Sequence, residues 1–356
     1  MNLEWQNLIR SDLPLVSRVE MDNITANLIR PFDYGSSGEE KFYPFLIPAD
    51  LPEKFSLGVI VGASGTGKST LLSRFGKPIT PEWGEGSIAS HFKTSIDASE
   101  KFAAVGLMSV PDWVKKYSAL SNGQKFRANL ARVIDSNIVI DEFTSVIDRN
   151  VAKAASSAMS RYIRRNELTN IVLATVHRDV LEFLEPDWII DTDKGQWNNG
   201  RWLQRPQLDF TIYPASYRIW PYFAQYHYLT EKHNNSAHCY IAVWEDKLVG
   251  FNSCLSFPSG HYKNAWRGHR LVIHPDFQGL GFGPALSEAV AQHYLDNGKK
   301  YFAKTAHPRL GQYRDNSPKW RATVMNHKVP KKSQSYWEVD KTRWTYSHEY
   351  IGDTGE

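Results

Sequence analysis

Cysteine is nearly absent from this chain. Its 356 residues include two, Cys239 and Cys254. Their spacing fits no thiolate metal site, and the pair reads as small buried apolar residues in a reducing compartment rather than as a disulfide framework. Long hydrophobic runs are missing too. No apolar stretch approaches the roughly 18 residues of a membrane span, so none is expected. The opening residues, Met1-Asn-Leu-Glu-Trp-Gln6, lack a basic region leading into an apolar one. No secretory signal is expected, and the expected location is cytoplasmic. The chain also lacks internal repeats and long low-complexity tracts. What is present is a 42% hydrophobic fraction, enough for two ordinary cores in a chain of two-domain length.

Charge is unevenly spread. Residues 1–200 hold 22 Lys/Arg against 25 Asp/Glu, whereas residues 201–356 hold 20 against 13, a net of +7. The second half also carries 7 of the 12 Trp and 10 of the 12 His. A basic surface rich in aromatics suits a polyanion whose bases stack on rings. A domain that is simply basic and soluble fits the same numbers.

In the first half, Leu57-Gly-Val-Ile-Val-Gly62-Ala-Ser64-Gly65-Thr-Gly67-Lys68-Ser69-Thr70 runs from a β-branched strand into a glycine-rich loop and a helix. This is the P-loop pattern in its required context. Backbone N–H groups of such a loop wrap phosphates, Lys68 reaches the β/γ-phosphates, and the Ser69 hydroxyl holds Mg²⁺. Asn137-Ile-Val-Ile140 then delivers Asp141 and Glu142 at a strand end, placing Asp141 near the metal and Glu142 against the attacking water.

Leu120-Ser121-Asn122-Gly123-Gln124 precedes a predicted helix over residues 125–134. Ser145-Val-Ile-Asp148 follows Glu142, and a strand over 171–176 ends in His177. In order and spacing these resemble the signature motif, D-loop and switch histidine of ABC ATPases, with Asn122 replacing a glycine of the family pattern. The resemblance implies an ATP-dependent head-to-tail homodimer. ATP would lie between one chain's P-loop and the other's Ser121, Gly123 and Gln124, with Asp148 nearby and His177 on the γ-phosphate. Residues 69–119 contain no Gln, and 51 residues separate Lys68 from Leu120. Both features depart from the transporters of that family and favour its members that act on nucleic acids or control an attached domain. Tyr43 or Phe45 fits an adenine-stacking aromatic, and either fits the core equally.

Residues 192–206 are rich in turn formers, with Asn199-Gly200 as a hairpin signal. The predicted organisation is an ATPase domain over 1–200, a linker over 201–206, a second domain over 207–330 and a basic, aromatic tail over 331–356. In the second domain a strand hairpin flanks Glu245-Asp246. A further strand, Gly268-His-Arg-Leu271-Val272-Ile273, enters His274-Pro275-Asp-Phe277-Gln278-Gly279-Leu280-Gly281-Phe282-Gly283 and then a helix. A dinucleotide site is the competing reading of such glycines. With Pro275 and Gln278 before them, the loop resembles motif A of the GNAT acyltransferases. The resemblance implies that N–H groups of residues 279–283, Phe282 included, meet the coenzyme A pyrophosphate, that the backbone of Leu271, Val272 and Ile273 holds the pantetheine, and that acetyl-CoA or a related acyl-CoA is the donor.

No fixed catalytic position carries over from that family. His227-Tyr228, His269 and His307 are candidates for the proton transfer, and each also fits a structural role. No histidine spacing supports a metal site. The His227-Tyr228 pair ahead of the acyl-CoA loop resembles Mom-type DNA-modification acyltransferases of phages. Lys328, Lys331, Lys332, Lys341 and Arg343 among Trp320, Trp337 and Trp344 fit a phosphate backbone with stacked or extruded bases, or a solvated tail.

The expected fold class is therefore α/β: a P-loop ABC-type ATPase domain plus an α+β GNAT domain, similar to ABC-ATPase–acyltransferase fusions of phages and prokaryotes. The expected function is ATP-dependent acyl transfer to a nucleic-acid base amine, with DNA favoured over RNA. The alternatives are a nucleotide-controlled acetyltransferase of a protein or small amine, and a nucleic-acid-binding ATPase that only senses acyl-CoA.

Overall fold

The protein's structure, a computed structural model, describes residues 4–32, 38–199, 203–228, 232–257, 262–328 and 345–353. The chain forms two compact units, each assembled from separated segments. The first comprises Met1–Pro81, Val133–Val146 and Ser160–Arg205. The second comprises Glu82–Arg132, Ile147–Met159 and Pro206–Glu356. No helix among the described residues is long and apolar enough to cross a membrane. Asn199-Gly200, read as a hairpin turn, lies at the limit of the described residues.

The first unit is built on a mixed sheet. Its strands are β1 (Gln6–Asn7), β4 (Leu57–Val61), β5 (Val139–Ile140), β6 (Ile171–Thr175), β7 (Trp188–Asp191) and β8 (Gln196–Asn199), while β2 (Leu15–Arg18) and β3 (Glu39–Phe42) form a separate two-stranded antiparallel sheet. The order is β1-β8-β7-β4-β6-β5, with β7, β4, β6 and β5 parallel and β8 antiparallel to both β7 and β1. β4 is central and buried at every position. That explains its unbroken apolar run, because a strand covered on both faces has no polar side to alternate with. Trp188, stacked 5.5 Å from Phe75 and edge-on 5.2 Å from Phe55, centres the core with Ile60, Leu72 and Ile190. Parallel pairing brings the carboxyl ends of β4, β5, β6 and β7 to one edge, where ligands of such sheets bind.

The second unit has a seven-stranded sheet, ordered β14-β15-β13-β12-β11-β10-β9. The strands are β9 (Thr211–Ala215), β10 (His238–Trp244), β11 (Lys247–Ser256), β12 (Ala265–Ile273), β13 (Lys300–Thr305), β14 (Trp320–Ala322) and β15 (Tyr346–Tyr350). All neighbours are antiparallel except β12 and β13. That parallel pair is short. Residues 265–267 of β12 match 300–302 of β13, and from Gly268 onward the two strands no longer pair.

The C-terminal residues depart from the expected tail. Residues 346–350 are a strand within the sheet, with Tyr346, His348 and Tyr350 buried and the residues between them half-buried. His348 is fully buried, its Nε2 2.9 Å from Asp315 Oδ1. A period-two pattern of large rings outweighs the local basic character. Trp320 is also buried, in β14. Lys331, Lys332, Trp337, Lys341, Arg343 and Trp344 lie outside the described residues.

Candidate active sites

In the first unit the loop after β4 gathers Gly62, Ser64, Gly65, Gly67, Lys68, Ser69 and Thr70 at the carboxyl edge of the sheet. Its base is tied down. Thr66 and Thr192 hydroxyls meet at 2.7 Å, and Ala63 N–H donates to Asp193 Oδ1 at 2.7 Å. Arg178 in turn clamps Asp191 and Asp193. At the tip Gly65 has a φ of +80°, and a Cβ there would meet nothing within 4 Å, so the loop backbone opens outward. Burial lowers the Lys68 pKa, while Asp193, Asp141 and Glu142 pull the other way.

Two neighbouring strand ends complete this edge. Asp141 and Glu142 follow β5, with Glu142 N–H bonded to Asp141 Oδ1 at 2.8 Å. His177 follows β6, and its Nδ1 lies 3.1 Å from the Thr144 hydroxyl. Thr144 is fully buried at a φ of +69°. A β-branched residue rarely adopts that conformation, and such strain gathers at functional turns. The sequence reading missed Thr144, since nothing local marks it. It also missed Phe42, whose ring would lie 2.5 Å from a Cβ at Gly67 and so rests on the loop. Of the two aromatics expected near this loop, Tyr43 is exposed and Phe45 is buried under Arg10, 4.1 Å from the ring.

The remaining expected nucleotide residues belong to the second unit. Ser121 caps the helix Asn122–Val133, with Gln124 N–H 3.3 Å from Ser121 Oγ and Ser121 N–H 2.9 Å from Gln124 Oε1. This reciprocal capping box turns the Gln124 side chain back onto its own helix. Gly123 packs on Val151. Asp148 Oδ1 accepts from Asn150 N–H at the start of the helix Arg149–Arg165.

The second glycine-rich loop lies between β12 and the helix Phe282–Asp296. Gly281, at φ 96°, opens the helix, and a Cβ there would meet nothing within 4 Å. The N–H groups of the first turn have no intrahelical partner, so this end of the loop can cradle a phosphate. Gln278 and Gly279, also expected to hold the donor, face elsewhere. Gln278 Oε1 accepts from Met108 N–H, and its Nε2 donates to Ile273 O, both at 2.9 Å. A Cβ on Gly279 would fall 2.7 Å from Ala154 O. Phe282 is anchored between Phe210 and Trp244, leaving only its backbone for a ligand. Val272 belongs to the core beside Phe251. Leu271 and Ile273 pair with Asn252 and Gly250 of β11, and their β13 side lies where the two strands have parted.

Residues 201–314 match the Acetyltransferase (GNAT) family. They are a GNAT acetyltransferase domain. The match assigns acetyl transfer from an acyl-CoA to this part of the chain and leaves the acceptor open. Similar solved structures include a Bacillus subtilis acetyltransferase in complex with CoA, at 13% identity and TM-score 0.30 over 40% of this chain and 98% of that one. The ribosomal-protein-S18-alanine N-acetyltransferase of Escherichia coli is 12% identical at TM-score 0.30, over 42% and 99%. A dimeric bacterial ABC transporter cassette is 16% identical at TM-score 0.30, over 43% and 87%. No curated protein matches the chain.

Within the GNAT domain, His227 and Tyr228 stack at 4.9 Å, and the Tyr228 hydroxyl lies 3.5 Å from Thr305 Oγ1 at the end of β13. His307 N–H donates to the same Thr305 hydroxyl at 3.0 Å, and its ring lies 6.5 Å from Tyr228 and 6.3 Å from Trp113. These groups stand where β12 and β13 have diverged. Burial lowers the His307 pKa. His269 belongs to an adjoining cluster, 5.1 Å from His233, with Nε2 facing Asn234 N–H at 3.4 Å. Burial first, then Arg270, His233 and Arg267, push its pKa down to about 4. An imidazole that weakly basic is a poor proton acceptor near neutral pH. Cys239 and Cys254 are buried free thiols.

Proposed function

We propose that this chain is an ATP-dependent acetyltransferase that modifies an amine of a nucleic-acid base, in DNA rather than RNA. The observation that carries the acetyl-transfer half is the parting of β12 from β13 beside the open turn at Gly281. The N–H groups of residues 281–283 would hold the pyrophosphate of acetyl-CoA, with its thioester arm along the parted side of β12. The acceptor amine attacks the thioester carbonyl, the C–S bond breaks, and the sulfur leaves as the CoA thiol. His227 takes the proton released by the amine, and the Tyr228 hydroxyl gives one to the departing sulfur.

The first unit supports nucleotide dependence. Gly65, Lys68 and Ser69 fit a triphosphate, and Glu142 and His177 stand at neighbouring strand ends. Among the described residues no group of three or more His, Cys, Asp or Glu gathers for a metal. Ser69 and Asp141 would hold Mg²⁺ together with phosphate oxygens. Ser121 and Gly123 of a second chain would complete the nucleotide site in a head-to-tail homodimer, and MgATP would supply the free energy of closure.

The nucleic-acid reading is supported by one face of the second sheet. Arg267, Phe302, Glu349 and Arg321 stand side by side across β12, β13, β15 and β14. Lys300 and Lys304 share that face. Arg267 lies 5.3 Å from the Phe257 ring and Lys300 4.6 Å from the Tyr262 ring, and Phe302 meets both rings. Cations around aromatics suit a strand with unstacked bases.

Nucleoside mass spectrometry tests the reading. The pure protein is incubated with ATP, Mg²⁺ and acetyl-CoA, with plasmid DNA and bulk tRNA in separate tubes. A nucleoside gaining an acetyl mass in the DNA tube, only with ATP, is expected. Unmodified nucleosides while acetyl-CoA is consumed on an added amine would shift the acceptor to a protein or small molecule. Equal transfer without ATP would remove the nucleotide from the scheme.

A further inference from the structure

The second unit contains a buried charge that neither site uses. Arg127 sits on the helix Asn122–Val133, is 1% exposed, and forms no ion pair among the described residues. Its guanidinium is spent on three carbonyls. Nε donates to Gly123 O at 3.2 Å, and Nη1 donates to Gly106 O at 2.9 Å and to Pro275 O at 2.8 Å. Asp276 and Asp112 act on this cation through their charge but are not bonded to it, and a buried cation whose hydrogen bonds all go to carbonyls is expensive, so an apolar side chain would fill the space with less penalty. Gly123 belongs to the Ser121–Gln124 cap, while Pro275 begins the turn that carries Gln278 and Gly281.

The segment of Gly106, which Arg127 also bonds, touches that turn again close by. Met108 N–H is bonded to the Gln278 side chain at 2.9 Å. A Cβ on Gly106, at φ +74°, would lie 2.3 Å from Gln278 O. Backbone therefore meets backbone here with no side chain to act as a cushion, and such a contact transmits displacement.

We infer that Arg127 is a positioning residue that ties the helix beginning at Ser121 to the acyl-CoA loop, so that nucleotide engagement at the Ser121–Gly123 cap sets the affinity of that loop for acetyl-CoA. This rests on the nucleotide-binding reading above. Arg127 touches neither ligand. A shift of the helix moves Arg127 against both Pro275 O and Gly106 O, and the segment of Gly106 carries the Met108 end of the Gln278 clamp, so the turn leading to residues 281–283 follows. Linkage makes the effect reciprocal, so acetyl-CoA must change nucleotide affinity by the same factor.

The test measures acetyl-CoA affinity by calorimetry on the full chain, with and without saturating AMP-PNP and Mg²⁺. In the wild type the nucleotide analogue should tighten acetyl-CoA binding at least about fivefold. In Arg127→Met that ratio should fall to one while AMP-PNP still binds. Hydrogen exchange on the wild type guards against a variant that fails to fold, since amides of residues 279–283 should gain protection when AMP-PNP alone is added. AMP-PNP bound with no change in acetyl-CoA affinity or loop exchange would overturn the inference and leave nucleotide binding standing. Absence of AMP-PNP binding would overturn both. A ratio retained in folded Arg127→Met would show that coupling runs elsewhere and dismiss Arg127.

Discussion

His269 shows how burial reassigns a residue whose type alone suits proton transfer. Its pKa falls from an ordinary 6.5 to about 4, through burial and then the charges of Arg270, His233 and Arg267. Between those two values the unfolded chain binds a proton that the folded chain refuses. Stability is therefore full above the unfolded value and declines as pH falls toward 4. His269→Asn keeps an acceptor for Asn234 N–H and removes the titration. Thermal unfolding across this window should show a steeper acid loss of Tm in the wild type than in the variant. If the two curves run parallel, His269 is not the half-buried neutral group described. The acidic limb of the acetyl-transfer rate should survive the same substitution, whereas Tyr228→Phe should lower kcat more than it changes KM for acetyl-CoA.

At the scale of elements, Ser121 has two possible duties that one substitution separates. Its hydroxyl caps the helix Asn122–Val133, and Ser121→Ala should cost about 1 kcal/mol from the lost cap alone. Ser121→Asp keeps a capping oxygen and places a negative charge against any incoming phosphate. The expected result is unchanged unfolding with ATP hydrolysis lost. Hydrolysis retained in Ser121→Asp would reduce the motif to a helix cap. β4 offers a second case. A Cβ on Gly58 would fall 1.9 Å from the Trp188 ring, so Gly58→Ala should destabilise by about 1–3 kcal/mol, read from denaturant unfolding. Elements with a strong local pattern were legible in the sequence, among them β4 and the helix after Gly281. β15 was not, because its alternating rings sit beside a basic stretch. Nor was the Thr144 turn, whose strain depends on β6 and His177 rather than on its neighbours in the chain.

Across the whole molecule the chain order conceals what packs together. Residues 82–132 and 147–159 gather with the sheet of the GNAT domain, through contacts such as Arg127–Pro275, separated by 148 positions. No local periodicity encodes a bond of that reach, so the sequence could announce both glycine-rich loops while remaining silent on the Gln278–Met108 clamp. The same separation of parts shapes the last prediction. The loop at residues 62–70 and the cap at Ser121 lie in different compact units, and the proposed reaction needs a second chain to bring them onto one nucleotide. Glu142→Gln preserves side-chain volume and removes the base expected to polarise water. This variant should bind MgATP, fail to hydrolyse it, and accumulate as a dimer in sedimentation velocity. The wild type should return to monomer as ATP is consumed. A variant that holds MgATP yet sediments as a single chain would mean that each chain works alone, and Ser121 and Gly123 would then have no nucleotide to meet.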